Sequence, residues 1–315
     1  MLIRLGYVAI SKSLDNVTSS HSLSYNNFLK SEKDVSKIYE RIESNLKDLE
    51  KIIDYNIKNN IHFYRLTSKL IPLATHKDIN FEYKNKYKEQ LSLIGKKIKG
   101  INMRVDLHPD QFAVLNSTKK EVVENTFRIL EHQYSILELL GIKHKIIVLH
   151  VGGNVFGKEN SIKRFINNFH KLPKYIQNSI VIENDDKIFN IKDTLEICNK
   201  LNIPCVLDYH HHICYNDNID INKYYEKIFL TWKNINPKIH FSSPKNKTKK
   251  ELRSHHDYID VDSFISFIES IKHFQFNIDI MIEAKEKDEA MFRLIRNLKY
   301  KTNYKFIDDT TFEVN

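Results

Sequence analysis

Cysteine is scarce in this chain, and its few cysteines suggest no disulfide framework. Three of the 315 residues are cysteine, namely Cys198, Cys205 and Cys214. They are odd in number and form no CxxC pair, which argues against cross-linking as a stabilising device. This usage is typical of a reducing compartment, so we expect a cytoplasmic protein.

Long hydrophobic runs are also missing. The longest apolar stretches are strand-sized, well short of the roughly 20 residues that span a bilayer. The first ten residues, MLIRLGYVAI, include Arg4 and Gly6 and lack the extended apolar region of a secretory signal. This segment is typical of a first strand, and we expect no membrane association.

Glycine and proline are scarce, with seven and six residues. Because no linker rich in them divides the chain, we predict one barrel domain over residues 1–300 with residues 301–315 as its C-terminal extension. Neither GxGxxG nor GxxxxGKS/T occurs, which excludes the usual cradles for dinucleotides and nucleoside triphosphates. The adjacent Gly152 and Gly153 suggest close approach of the backbone to an ion or phosphate, or else an ordinary tight turn.

Acidic residues are outnumbered by basic ones. Lys and Arg total 49 against 40 Asp and Glu, a formal net charge of +9. A polyanionic partner such as DNA would account for the excess, and so would compositional drift in a chain rich in Lys, Asn and Ile. The densest basic segment, residues 245–253, contains Lys247, Lys249 and Lys250. We predict that these lysines contact DNA phosphates, the alternative being a solvated loop.

Strand-like and helix-like segments alternate along the chain. Helical patterns are predicted over residues 33–59, 82–98, 121–140, 161–169, 193–201, 221–229, 261–271 and 288–298, each after an apolar run. These runs are rich in Ile, Val and Leu, as expected of strands covered on both faces. Eight such units predict an α/β fold, a single (β/α)8 TIM barrel with its metal site at the C-terminal face of the strands. A doubly wound open sheet is the alternative, but it places ligands at one switch point.

Metal-capable side chains follow most of the predicted strands. They are His108, His150, Glu183, Asp208, His211, His240, His255 and Glu283. Because the C-terminal ends of parallel strands lie on one face of a barrel, we expect these side chains to converge. Imidazole and carboxylate ligands suit Zn, Mn or Fe, and this many of them could hold more than one ion. Scattered surface histidines and helix caps are the alternative.

The carboxylates in this set indicate the chemistry. Asp208 and His211 could point from one strand end toward neighbouring ions, while Glu183 and Glu283 could bridge two metals. Two ions about 3.5–4 Å apart can share a hydroxide nucleophile and stabilise a leaving oxygen, which suits phosphoester hydrolysis.

Other histidines are less specific. His210 and His212 flank His211, and alternation along a strand would point them away from it. His76, in LIPLATH after the second predicted strand, either lies on the metal-binding face or caps the next helix.

Nine short motifs resemble, in order and spacing, those of the ultraviolet damage endonucleases of bacteria and fungi. They are LGY, LIPLATH, HPDQF, VLHVGG, IEND, LDYHH, KIHFSS, SHHDY and IEAK, and they extend from Leu5 to Lys285. The related endonuclease IV enzymes share the metal pattern but not HPDQF or the contexts of IEND and SHHDY.

This resemblance implies a TIM barrel with up to three divalent metal ions, manganese being favoured over zinc or a mixed set. It implies hydrolysis of double-stranded DNA immediately 5′ to a cyclobutane pyrimidine dimer or a 6-4 photoproduct. Carried over residue by residue, the first ion is held by His108, His150 and Glu183, the second by Glu183, Asp208, His240 and Glu283, and the third by His211 and His255.

Catalytic roles are predicted both inside and outside the ligand set. The predicted catalytic residues are Glu183, Glu283, Lys238 and His76. Lys238 matches a lysine that can be carboxylated and so become anionic near the metals. A plain phosphate-binding lysine is the alternative.

The expected DNA contacts come from two further motifs. Gln111 and Phe112 match a Gln-Tyr pair that wedges into the duplex opposite the lesion. The phenyl ring of Phe112 keeps the stacking surface but lacks the hydroxyl. Tyr7 matches a residue that lines the pocket for the extruded lesion, and a distorted dimer costs less to flip than an intact pair.

Three other functions fit part of the pattern. An abasic-site endonuclease of the endonuclease IV type would use the same metals but not the wedge. A metal-dependent sugar isomerase would have no use for a basic rim, and a DNA-binding protein with a structural zinc would need only about four ligands. We therefore predict a monomeric DNA repair endonuclease that acts on damaged duplex DNA in the cytoplasm, at the nucleoid.

Overall fold

Eight short parallel strands form the centre of the molecule. The structure, a computed structural model, describes residues 1–246, 248 and 251–315. The strands are β1 (Leu2–Val8), β2 (Phe63–Arg65), β3 (Arg104–Asp106), β4 (Ile147–His150), β5 (Ile180–Glu183), β6 (Cys205–Asp208), β7 (Lys238–Phe241) and β8 (Ile278–Ile282). They pair in the order β3-β2-β1-β8-β7-β6-β5-β4.

The two ends of this sheet meet between β3 and β4. Leu107, directly after β3, forms a parallel bridge with Ile147. Its N–H donates to Ile146 O at 3.0 Å, and its carbonyl accepts from Val148 N at 2.9 Å. The sheet therefore closes on itself, and the predicted TIM barrel is confirmed.

Helices cover the outside of the barrel. They are α1 (Tyr25–Lys30), α2 (Ser36–Lys58), α3 (Tyr83–Lys86), α4 (Lys88–Gly100), α5 (Lys120–Leu139), α6 (Lys158–Phe169), α7 (Lys174–Gln177), α8 (Ile191–Leu201), α9 (Tyr209–Cys214), α10 (Tyr225–Leu230), α11 (Val261–Ile271) and α12 (Lys287–Lys301), with 3-10 turns at Ile221–Lys223 and Lys272–Phe274. Each long helix buries one apolar stripe, as Ile42, Leu46 and Leu49 do in α2. None of the helices described is both long and apolar enough to cross a bilayer.

Residues after α12 add a small hairpin to the barrel. Its strands are β9 (Lys305–Phe306) and β10 (Thr311–Glu313), and β10 pairs antiparallel with β1. Phe312, opposite Ile3, is fully buried and stacks on Tyr304 with ring centroids 5.4 Å apart. The hairpin thus covers the N-terminal end of β1, the end opposite the predicted metal face.

The barrel interior is charged near that end. Asp279 in β8 accepts hydrogen bonds from Arg4 at 2.6 and 2.7 Å and from Arg104 at 2.8 Å. Burial would raise the pKa of Asp279, but the two guanidinium groups hold it below its usual value. TIM-barrel interiors are generally filled by branched apolar side chains. This chain instead places ion pairs along the barrel axis.

Candidate active site

The first group of possible metal ligands lies where β3, β4 and β5 end. It consists of His108, just after β3, and of His150 and Glu183, the last residues of β4 and β5. His150 and Glu183 are register partners on neighbouring strands. Glu183 Oε2 lies 3.0 Å from His108 Nε2 and 3.6 Å from His150 Nε2. The strand register therefore assembles the first predicted ligand set.

The second group combines Glu183 with Asp208 and His211. Asp208 ends β6, and its Oδ1 accepts from the His211 N–H at 2.7 Å, which caps α9. His211 Nδ1 consequently lies 3.4 Å from Glu183 Oε1 and 3.6 Å from Asp208 Oδ2. His211, which was predicted to share a third ion with His255, thus lies close to both carboxylates.

The third group contains Asp208, His240 and Glu283. Asp208 and His240 are register partners in β6 and β7, and Glu283 directly follows β8. His240 Nδ1 lies 3.3 Å from Glu283 Oε1 and also 2.9 Å from Glu183 Oε1. The four residues predicted to share the second ion are therefore adjacent.

The three ligand groups share carboxylate residues. Glu183 belongs to the first two groups and Asp208 to the last two. A carboxylate that faces two adjoining groups can bridge two cations. Asp208 Oδ2 is buried yet accepts no hydrogen bond from the described residues, although buried polar atoms normally have partners. The donors are carboxylate oxygens and imidazole nitrogens, a set that fits divalent Mn or Zn.

The electrostatics of the site favour positive charge. Burial raises the pKa of Asp208 well above its usual value, and Glu183 and Glu283 add to this effect while His211 opposes it. Burial would lower the pKa of His211, but Asp208 and Glu183 raise it to about 9. Bound cations would relieve the unfavourable burial of the Asp208 carboxylate and displace the proton of His211, as expected of a cation site.

Comparison with known proteins identifies the family. A family model described as UV-endonuclease UvdE matches residues 3–313. The chain belongs to this family. The UV DNA damage endonuclease of Bacillus cereus (strain B4264) is 39% identical over 303 residues, which cover 95% of each chain. That of Bacillus thuringiensis subsp. konkukian (strain 97-27) is 37% identical over 318 residues, covering 99% of this chain and 100% of the relative.

Solved structures agree with this assignment. The crystal structure of SacUVDE superposes with a TM-score of 0.85 at 34% identity, covering 95% of this chain and 98% of that one. Endonuclease IV from Thermus thermophilus gives a TM-score of 0.56 at 12% identity, covering 95% and 100%, and this likeness shows the fold alone. The resemblance predicted from the motifs is confirmed, and this UvdE-family chain is an endonuclease of the UV-damage type.

Lys238 lies deeper in the barrel of this UvdE-family chain than the three ligand groups. It precedes His240 by two residues on β7, so it points into the barrel one layer below. Its ammonium group is fully buried, with Nζ 2.6 Å from Asp106 Oδ2. Burial lowers the pKa of Lys238 to about 7, although Asp106 opposes the shift. Its catalytic role and its carboxylation remain predictions.

Arg65 was missed by the sequence analysis. It is the last residue of β2, buried, with Nη1 2.6 Å from Glu283 Oε1 and Nη2 2.6 Å from His240 Nε2. Its position at a strand end is the same signal that identified the ligands. It was overlooked because only metal-ligating residue types were considered there.

The helix that begins at Tyr209 corrects the expectation for the neighbouring histidines. Alternation along a strand was predicted, which was wrong because Asp208 ends the strand and caps α9. His210 and His212 are buried, and the His210 ring packs edge-on against His255 at 5.3 Å. Among the described residues, no group of three ligand atoms includes His255. A third ion held by His211 and His255 remains a prediction.

Two predicted site residues lie away from the ligand groups. Tyr7 is fully buried and donates a hydrogen bond to Asn56 Oδ1 on α2 at 2.7 Å. Its ring is covered in the free protein, and a contact of Tyr7 with a flipped lesion remains a prediction. His76 stacks on Tyr25 with centroids 4.0 Å apart, and its Nδ1 accepts from Asp78 N. It contributes to none of the ligand groups found in the described part of the chain, and its catalytic role remains a prediction.

The predicted wedge lies on the surface beside the ligands. Gln111 and Phe112 follow His108 by three and four residues, in a turn in which Ala113 N donates to Asp110 O at 2.9 Å. Both side chains are exposed, and Phe112 retains 75% of its accessible surface. The predicted phosphate-contacting residues Lys247, Lys249 and Lys250 lie outside the described residues.

Proposed function

We propose that this UvdE-family chain hydrolyses the phosphodiester bond immediately 5′ to a UV photoproduct in duplex DNA, with divalent metal ions held at the three ligand groups. The observation that carries the proposal is the overlap of these groups at Glu183 and Asp208 in a member of a UV-endonuclease family. Bound there, the ions would supply a hydroxide nucleophile and stabilise the leaving oxygen. Manganese is the proposed metal, with zinc as the alternative.

Glu183 is the central positioning carboxylate in this proposal. Its oxygens lie 3.0, 3.6, 3.4 and 2.9 Å from ring nitrogens of His108, His150, His211 and His240. Burial would raise the pKa of Glu183, but His240 and His150 hold it well below its usual value. Glu183 therefore stays ionised at neutral pH and keeps its oxygens available to two groups at once.

The surface around the ligands supports the choice of a DNA substrate. Phe112 presents an exposed ring only four residues from His108, so a wedge at this position would bring a duplex to the proposed metal site. A net charge of +9 favours association with phosphates, and Lys247, Lys249 and Lys250 are the proposed contacts. Selectivity would then come from how readily the damaged duplex opens, with no reading of base edges.

A nicking assay tests the proposal. Four labelled duplexes of one sequence would be compared: intact, with a cyclobutane pyrimidine dimer, with a 6-4 photoproduct and with an abasic site. Each would be incubated with enzyme that was stripped by a chelator and reloaded with Mn²⁺ or Zn²⁺. We expect strand scission directly 5′ to both photoproducts, and only after metal is restored.

Two results would contradict this proposal in different ways. Efficient incision of the abasic duplex with none at the photoproducts would favour an enzyme of the endonuclease IV type. Full incision of photoproducts by thoroughly stripped enzyme would remove the metal ions from the mechanism.

A further inference from the structure

Phe156 forms an exposed apolar tip on the loop between β4 and α6. The ring keeps 77% of its accessible surface, and the preceding Val155 keeps 49%. Phe156 also has φ of 62°, in the left-handed region that bulky residues rarely adopt. Such strain persists only where the surroundings impose it, and it is frequent at sites that contact ligands.

The surroundings of Phe156 do impose this conformation. The carbonyl of Val155 accepts from Arg164 Nη2 at 2.5 Å and from Ser161 Oγ at 3.2 Å, while the carbonyl of Phe156 accepts from Asn160 Nδ2 at 2.8 Å. These donors all lie on the first two turns of α6. The backbone at Val155 and Phe156 is therefore anchored to α6, and the phenyl ring projects from this anchored segment.

The same loop is joined to the one that carries Phe112. Asn116 Nδ2 donates to Gly153 O at 2.6 Å, and Asn116 O accepts from Arg164 Nε at 2.8 Å. Gly152, with φ of 108°, allows this approach, because a Cβ there would lie 2.4 Å from Asn116 Oδ1. The close approach at Gly152 is thus to the neighbouring loop and not to an ion or phosphate, and hydrogen bonds join the two loops that carry the exposed phenyl rings.

We propose that Phe156 is a second aromatic contact for DNA, packing on an unstacked base or its sugar while Phe112 wedges into the same damaged duplex. This inference rests on the proposed function. Both rings follow first-group ligands closely, Phe112 by four residues from His108 and Phe156 by six from His150. Opening a duplex exposes a base on each strand, and an aromatic side chain can stack on any base. DNA at the metal face is the occupant that would meet both rings.

Fluorescence can detect this contact directly. Trp232 is the single tryptophan of the chain and is buried in the core, so it gives a constant background. Phe156→Trp would be titrated, in metal-free buffer, with a duplex that contains one cyclobutane pyrimidine dimer. Tyr300→Trp is the control, since Tyr300 is 91% exposed near the end of α12, at the opposite end of the barrel. We expect quenching at position 156 and none at position 300.

Binding measurements complete the test. We expect Phe156→Ala and Phe156→Asn to bind the dimer-containing duplex at least about tenfold more weakly than the parent, and Tyr300→Ala to bind like the parent. Asn tolerates a left-handed backbone, so Phe156→Asn removes the ring while the loop keeps its shape. Thermal unfolding should be unchanged or slightly improved in this variant.

The failures of the two proposals are distinguishable. If the parent does not incise photoproducts, the proposed function is wrong whatever the Phe156 variants do. If the parent incises them, while Phe156→Ala and Phe156→Asn bind and incise equally well and the tryptophan at position 156 is not quenched, only the second contact is wrong.

Discussion

Arg65 Nη1 lies 2.6 Å from Glu283 Oε1, and Arg65 Nη2 lies 2.6 Å from His240 Nε2. One planar guanidinium therefore contacts two of the proposed metal ligands. Burial would raise the pKa of Glu283, but Arg65 and His240 lower it below its usual value. Because its positive charge would repel a cation, Arg65 must contribute by orienting Glu283 and keeping it ionised.

Arg65→Lys should lower the rate of incision by about 10- to 100-fold, the usual cost of losing a residue that orients metal ligands. The ammonium group keeps the charge, but its single nitrogen cannot contact both Glu283 and His240 as Nη1 and Nη2 of the guanidinium do. Incision of dimer-containing duplex over a Mn²⁺ titration would measure the effect, and thermal unfolding would show that the variant folds. Arg41→Lys, at an exposed arginine on α2, is the matched control. Parental activity of Arg65→Lys at every metal concentration would make Arg65 a purely structural residue.

Glu283→Gln should abolish incision and leave binding to damaged DNA largely intact. The amide keeps the shape of the side chain but removes the negative charge that is proposed to hold a metal ion. The wedge and phosphate contacts come from other segments, so affinity should change little. Incision and fluorescence anisotropy would be measured on one duplex, with Glu289→Gln, at an exposed residue in the first turn of α12, as control. Near-normal nicking by Glu283→Gln would exclude Glu283 from the catalytic residues.

Strand ends and long helices could be predicted from the sequence because strands and helices alternate regularly in this fold and apolar residues recur at regular spacing in each long helix. α11 has the predicted bounds of Val261 and Ile271, and its apolar residues recur at helical spacing. A single local hydrogen bond leaves no periodic signal, which is why the Asp208 cap and α9 were missed. The predicted helix over residues 82–98 is in fact two helices, separated at Tyr87, whose backbone leaves the helical conformation.

Some of the site residues could be predicted from the sequence and others could not. Ligand identity could be predicted from chemistry at strand ends, since register alone brings His150 beside Glu183. Which face of a strand a residue takes was harder to predict, and Tyr7 faces α2 and not the metal face. Arg65 could not be found by a search for ligands, because its role depends on two side chains from β7 and the end of β8 that only the closed barrel brings to it.

The stability of the protein should depend on pH through His132, far from the ligand groups. Burial lowers the pKa of His132 to about 4 from 6.5, and Lys84 adds to the shift. Between pH 4 and pH 6.5 the unfolded chain binds more protons at His132 than the folded chain does. The contribution of His132 to the free energy of unfolding is therefore fully present above pH 6.5 and is lost as the pH falls toward 4. The loss amounts to about 3 kcal/mol at most.

His132→Gln should therefore flatten the pH dependence of the free energy of unfolding. Urea denaturation at pH 7 and pH 5 would be measured for parent and variant, and the other histidines cancel in the difference. His273→Gln, at an exposed histidine, should behave like the parent. If parent and His132→Gln lose the same stability on acidification, His132 is not the group responsible.

Binding to DNA should weaken steeply with salt, because each phosphate contact on duplex DNA contributes about 0.9 to the slope of log K against log salt. Replacing Lys247, Lys249 and Lys250 together with glutamine should make that slope shallower on damaged and undamaged duplexes alike. Anisotropy titrations at several salt concentrations would measure it. Changing Lys37, Lys163 and Lys301, which lie on the outer helices, is the matched control. An unchanged slope in the first variant would show that residues 245–253 are only a solvated loop.

Phe112→Ala should weaken binding to dimer-containing duplex by tenfold or more, since loss of base stacking costs roughly 1–3 kcal/mol per base. The ring is 75% exposed, so its removal should not disturb folding. Undamaged duplex should be affected much less, because an intact stack offers no gap for the ring. Anisotropy on both duplexes, together with single-turnover incision of the damaged one, would measure the difference.

Phe112→Tyr separates stacking from simple bulk at this position. It keeps an aromatic face and adds the hydroxyl of the Gln-Tyr pair that Gln111 and Phe112 resemble, so we expect parental or higher activity. Phe112→Leu keeps apolar bulk without the aromatic face and should fall between the alanine variant and the parent. The order parent, leucine, alanine on damaged duplex, with little spread on undamaged duplex, is the signature of a wedge that acts only where the helix already opens. If all three variants discriminated damaged from undamaged DNA as the parent does, lesion recognition would have to come from another part of the metal face.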